Sequence, residues 1–146
     1  MNTKADDGRA RHLDGVLALV RTRVASAQRG ALERFVGRYF GQVDSEDLEE
    51  RSPADLYGAA LSHWNFARKR ESGQARVRVF NPSIEEHGWQ STHTIIEIVN
   101  DDMPFLVDSV TMEVNRHGLT LHLIIHPLVA VLRGADGTLA DVAAED

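Results

Sequence analysis

The chain has 146 residues, of which 42% are hydrophobic and 26% charged, an ordinary soluble composition at the size of one domain; wholesale disorder, collagen-like repeats and a membrane-spanning bundle are excluded. It contains no cysteine, which removes disulfides, thiolate nucleophiles and Cys-ligated zinc together. The net charge of −6 is uneven: residues 1–74 hold 12 Lys and Arg against 11 Asp and Glu, residues 75–146 hold 4 against 11, and an acidic half without a basic stripe argues against nucleic-acid binding.

The first dozen residues are polar and are expected to fray. Leu13, Leu17, Val20, Val24 and Ala27 then recur at three- and four-residue steps, which predicts an amphipathic helix. Gly30 interrupts, and Leu32, Phe35, Val36 and Tyr39 form a second apolar face. Gly41 and the acidic run Asp44 to Glu50 read as a loop or short turn. A third helix has the best start signal: Ser52 can cap, Pro53 suits the first helical position and Asp55 favours the positive end of the dipole. It is expected to run through Leu56, Ala60, His63, Trp64 and Ala67 and to end near Gly73, with Arg68-Lys69-Arg70 as the cations favoured at a helix C-terminus.

The pattern then changes to alternation. Ala75 to Phe80 predicts a strand stopped by Asn81-Pro82, Ser83 to Ser91 a loop turning at Gly88, and Thr92 to Val99 a second strand. Asn100-Asp101-Asp102 can cap a helix opening at Pro104, with Leu106, Val107, Val110 and Val114 inward and Gly118 just past its end. Leu119, Leu121, Leu123 and Ile125 alternate as a third strand, expected parallel to the second through a right-handed crossover. Pro127 marks an edge or bend, and Val129 to Arg133, a turn at Gly134-Ala135-Asp136-Gly137 and Thr138 to Val142 complete the pattern. The fold class is α+β: a helical segment over 1–74, then β-β-α-β-β over 75–146. A four-stranded sheet with one helix leaves a face bare, or covered by the N-terminal helices or another chain.

No dinucleotide fingerprint, P-loop, nucleophile elbow or zincin helix is present, and Lys occurs only at Lys4 and Lys69. The stretch from Leu119 to Leu132 is broken by Thr120, His122, His126 and Pro127 and is too polar to span a bilayer. The N-terminus lacks the apolar core of a secretory signal, so a cytoplasmic protein is expected. His122 and His126 share a face of the third strand, with His93 at the start of a neighbouring one. Positions four apart in a strand stand about 13 Å from each other, too far to bind one ion, so no metal site is assigned. Asn100-Asp101-Asp102 reads either as a helix cap or as a polar loop that grips an ammonium group. Glu97, Asp101, Asp102, Asp108 and Glu113 read as a solvated acidic face, since no spacing forces two of them together. Trp64 is core; Trp89 either plugs the sheet against the helices or docks another domain.

Three stretches together resemble the N-terminal region of the large bacterial NAD-specific glutamate dehydrogenases, over roughly Phe35 to Gly137. They are Arg51-Ser52-Pro53-Ala54-Asp55-Leu56-Tyr57-Gly58-Ala59-Ala60; Val77-Arg78-Val79-Phe80-Asn81-Pro82 with Glu86-His87-Gly88-Trp89; and Ile98 to Val110, through Asn100-Asp101-Asp102-Met103-Pro104-Phe105. The resemblance implies a helical leader followed by an ACT-type, ferredoxin-like sheet, here lacking the second ACT helix. ACT domains commonly sense amino acids through a strand-to-helix loop with an acidic residue, a proline and a glycine. Asp102-Met103-Pro104 fits, while Phe105 stands in the glycine's place and points to packing rather than ligand approach. The candidate effector or interface loop is therefore Asn100, Asp101, Asp102, Pro104 and Phe105. By resemblance the parent enzyme deaminates L-glutamate to 2-oxoglutarate and ammonium with NAD, and its cofactor site and catalytic lysine lie downstream, so no catalytic, cofactor or metal position is carried over. Expected partners are the remaining domains of such an enzyme, a second copy through the ACT-like sheet, and an amino-acid effector. The alternatives are a stand-alone amino-acid-binding protein and, with little support, a small enzyme using His122 or His126 as base.

Overall fold

The structure, a computed structural model, describes residues 3–144. Four helices come first: α1 (Thr3–Arg23), α2 (Ser26–Tyr39), α3 (Ser45–Glu49) and α4 (Pro53–Ala67). The second half runs β1 (Arg76–Phe80), α5 (Ile84–His87), β2 (Ile95–Val99), α6 (Leu106–Arg116), β3 (Val131–Arg133) and β4 (Leu139–Val142). With the single turn α5 set aside, the elements of this half run β-β-α-β-β, and the class is α+β.

The core lies among the helices. Val16 and Val20 of α1, Leu32 and Val36 of α2, Leu48 of α3 and Leu56 and Ala60 of α4 are buried in one cluster. The ring of Phe35 packs 5.2 Å from Trp64 and 5.3 Å from Tyr39. α4 starts as its sequence predicts: the Ser52 hydroxyl accepts from the Asp55 N–H at 3.1 Å, and Pro53 fills the first helical position.

Four helical expectations are corrected, the first being that the acidic run Asp44 to Glu50, read as a loop or short turn, folds as α3 over Ser45–Glu49. Residues 3–12 do not fray but begin α1, because Arg9 donates to the carbonyls of Phe40 and Val43 and clasps the helix to the end of α2. The break between the first two helices falls at Val24–Ala25, while Gly30 lies inside α2. α4 ends at Ala67, and Arg76 from β1 takes over its terminal carbonyl at Phe66 and that of Lys69 just beyond it, donating to each at 2.7 Å.

β1 and β2 form an antiparallel pair with Val77 opposite Ile98 and Val79 opposite Ile96. β3 and β4 form a second antiparallel pair with Val131 opposite Val142. The two pairs are separate sheets, so the four-stranded sheet and its parallel crossover are corrected. The expected third strand, 119–125, is extended but joins no ladder. Its alternation comes from lying on a surface: Leu123, Ile125 and Val129 pack against the core while Ile124, His126 and Leu128 face out.

The second sheet closes onto the helices. Arg34 of α2 donates to Val142 O at 2.8 Å and pairs with Asp141 at 2.7 Å, and Val142 itself sits in the helical core. The segment after α4 pairs with β4 through Leu139 N to Arg68 O at 2.7 Å and Arg70 N to Gly137 O at 3.0 Å. Gly137 allows this approach: it holds φ 83°, and a Cβ there would lie 2.4 Å from the Arg70 carbonyl oxygen. Gly73 also holds a positive φ, 78°, but in open space. Gly137→Ala is therefore expected to cost clearly more than Gly73→Ala, which carries only the left-handed penalty of about 1–2 kcal/mol. Urea unfolding of the two variants checks this, and equal losses would contradict it.

Candidate functional site

The β1–β2 hairpin is mounted with its polar side inward. Glu97, at an inward position of β2, is 2% exposed. Its cross-strand partner Arg78 donates from Nε to Glu97 Oε1 at 2.8 Å, with a second, shorter contact from Nη2. Ser62 of α4 donates to Glu97 Oε2 at 2.9 Å and accepts from Arg78 Nη2 at 2.7 Å. A buried carboxylate is tolerable only with partners of this kind. At the next residue of α4, His63 Nε2 donates to Ile98 O at 3.1 Å, which leaves Nδ1 to accept from the Tyr39 hydroxyl, also at 3.1 Å. This chain of bonds joins α2, α4 and β2 and sets the His63 tautomer. Burial is the largest influence on His63 and pushes its pKa down; Glu97 and the Ile98 carbonyl oppose that, and Arg78 adds to it. Burial, then the Glu97 charge, pushes the Tyr39 phenol up.

With polar groups inward, the apolar face of the hairpin looks out: Val77 and Val79 are each 61% exposed and Ile96 45%. Trp89 settles its two readings, since it is buried against α4, edge-on to Phe80 at 6.1 Å. Gly58 makes room, as a Cβ there would lie 2.4 Å from the Trp89 side chain.

Beyond the hairpin, an open cleft of about 1690 Å³ is lined by residues of α4, β2, α6 and the extended 119–130 segment. The half-buried stripe of α6, Leu106, Val107, Val110 and Val114, faces this space, and none of α6 is fully buried. The candidate loop sits at its rim. Asp101 pairs with Arg70 at 2.9 Å, and that hydrogen bond and charge hold its carboxyl below the usual range. Asn100 donates to the Met103 sulfur at 3.3 Å; Asp102, Met103 and Pro104 are exposed. None of the triplet caps a helix, because α6 opens at Leu106 behind Phe105 with no side-chain cap. Phe105 does not pack either. It is 76% exposed and holds φ 64°, so the backbone keeps the glycine-like geometry while the ring stands in solvent.

The other singled-out residues scatter. Glu113 pairs with Arg116 and His117 on the surface of α6, and Asp108 is exposed. The His93 and His122 rings stack at 4.0 Å, while His126 is exposed elsewhere on the same segment. Among the described residues no group of three His, Asp or Glu could hold a metal ion. Sequence reasoning missed Ser62, Arg70 and Arg78 and took Glu97 for a surface acid. The available signal was an Arg and a Glu at matching positions of two neighbouring strands.

Helices packed on one hairpin, with a further helix and hairpin beside an open cleft, make an α+β module. The family model for the glutamate dehydrogenase ACT1 domain matches residues 35–146, and the chain belongs to that family. It is 42% identical over 127 residues to the NAD-specific glutamate dehydrogenase of Halomonas elongata, covering 87% of this chain and 8% of that protein. It is 42% identical over 108 residues to the NAD-specific glutamate dehydrogenase of Pseudomonas aeruginosa, covering 74% of this chain and 7% of that one. The chain thus spans less than a tenth of the length of either relative. No solved structure matches it.

Two outcomes follow from the polar network. Arg78→Met strands the Glu97 carboxylate and is expected to cost about 3 kcal/mol, most of it recovered in the Arg78→Met/Glu97→Met pair; denaturant unfolding at neutral pH measures both. For His63, a lowered folded pKa means that the unfolded chain takes up its proton first as pH falls. Stability is full above the ordinary value of 6.5 and is lost as pH drops from there toward the folded value. His63→Gln should remove this part of the slope, seen as a smaller melting-point loss than in the parent chain from about pH 7 to pH 5.

Proposed function

We propose that the chain is a non-catalytic regulatory and oligomer-building module from the N-terminal region of an NAD-specific glutamate dehydrogenase. In this reading residues 1–74 form its helical part and residues 75–146 its ACT-type part. The parent enzyme converts L-glutamate and NAD to 2-oxoglutarate, ammonium and NADH in the cytoplasm, with the nicotinamide and catalytic sites in other domains. The observation that carries the reading is the outward apolar face of the β1–β2 hairpin, Val77, Val79 and Ile96, on the side opposite the bonded Glu97, Arg78 and Ser62. An isolated sheet gains nothing by exposing valine and isoleucine, whereas a surface that docks a second copy or a neighbouring domain does. The two relatives' names and the small share of their length that is matched support the same placement.

The loop Asn100 to Phe105 is the module's effector or interface element in this proposal. It lies at the mouth of the cleft, lacks a cap, and holds an exposed aromatic in a glycine conformation. Val79→Lys with Ile96→Glu changes only exposed side chains and sets opposite charges across the strand pair, so circular dichroism should report an intact fold. In the full-length dehydrogenase the pair is expected to give a smaller native mass, or to abolish the response of the rate to added amino acids. Native mass by light scattering and rates of NADH formation test both. Unaltered assembly together with unaltered response would sink the proposal.

A further inference from the structure

Cations gather at the end of α4 beside the otherwise acidic second half. Arg70 is only 8% exposed. Its Nε donates to Gln74 O at 2.6 Å and its Nη1 to Asp101 at 2.9 Å. Its Nη2 is shut off from solvent and meets no acceptor among the described residues. Arg133 of β3 donates to Gly137 O at 2.9 Å, the same carbonyl that accepts from the Arg70 backbone at 3.0 Å, so both residues are fastened to one point. Burial pushes the Arg133 pKa down, and the nearby charges of Arg70 and then Arg76 add to it. Among the described residues neither Arg76 nor Arg133 has a carboxylate at ion-pair distance. The nearby Asp136 instead accepts from the Thr138 N–H at 3.0 Å.

A buried donor without an acceptor has lost water and gained nothing, and crowded guanidinium groups repel. An oxyanion relieves both. We propose that Arg70 and Arg133 form a binding site for one oxyanion group, phosphate or carboxylate, of a small molecule, with the Asp101 carboxylate as its resident stand-in. Guanidinium groups favour two parallel bonds to an oxyanion, yet Asp101 supplies one. Its side chain is 70% exposed, so it returns to water at little cost when displaced. Displacement frees the chain between β2 and α6, which couples anion binding to the loop at the cleft. The site stands on contacts within this chain and does not depend on the dehydrogenase placement.

The test is thermal melting in sodium phosphate and in sodium acetate, each against sodium chloride at matched ionic strength. One or both anions are expected to raise the melting point by a few degrees, through selective binding to the folded state. Phosphate alone identifies a phosphoryl ligand, acetate alone a carboxylate, and both an unselective oxyanion site. Arg133→Gln should abolish the rise, and Arg133→Lys, which keeps the charge without the fork, should weaken it. Asp101→Asn, which removes the competitor, should shift the midpoint to lower anion concentration. A rise that survives Arg133→Gln is the general stabilisation by excluded anions and overturns the proposal. So does the absence of any rise, or an Asp101→Asn midpoint that is unchanged or higher.

Discussion

The burial of one carboxylate governs how the second half of the chain sits on the first. Glu97 lies inside the β1–β2 hairpin with both oxygens bonded, one to Arg78 and the other to Ser62 of α4. Stripping water from a carboxylate is so unfavourable that its partners must be present together, and this specifies which side of the hairpin meets the helix. Once Arg78 and Glu97 point inward, strand alternation sends Val77, Val79 and Ile96 outward. The bare apolar face and the open cleft beside it are consequences of that orientation. A hairpin mounted the other way would hide its valines and leave the Glu97 carboxylate and Arg78 in solvent.

Local chemistry made much of the fold readable in advance. Ser52 and Pro53 open α4 through a hydroxyl cap and a fixed φ, and Gly118 closes α6 with φ 71°. The expected strands over 75–80 and 92–99 appear within three residues of their predicted limits, because a strand and its turn partners are neighbours in sequence. What escaped depends on distant groups. The first dozen residues look polar and loose, but Arg9 reaches carbonyls more than thirty positions away. Leu119 to Ile125 carries the alternation of a strand; periodicity reports which side chains are covered, not whether a neighbour supplies the hydrogen bonds of a ladder.

The candidate loop shows the same division. Its acidic and proline residues and the odd phenylalanine were legible as a resemblance, since residue types and order carry it. Their arrangement was not. Asp101 is drawn aside by Arg70, a cation that reads as a helix-end residue until its burial is seen. Phe105 keeps a left-handed backbone at a cost of about 1–2 kcal/mol that glycine would not incur.

The link from Arg34 to Asp141 and Val142 bears on the order of events as the protein is made. α2 is synthesised early, yet the groups that engage Arg34 and fill the adjoining part of the core emerge from the ribosome about a hundred residues later. The helical layer must therefore wait, partly assembled, with the seat for Val142 open. Pairings this distant raise the entropic cost of the folding transition and slow it relative to a simple helical bundle. During that interval the nascent helices carry exposed apolar surface, and chaperone binding would act on this step.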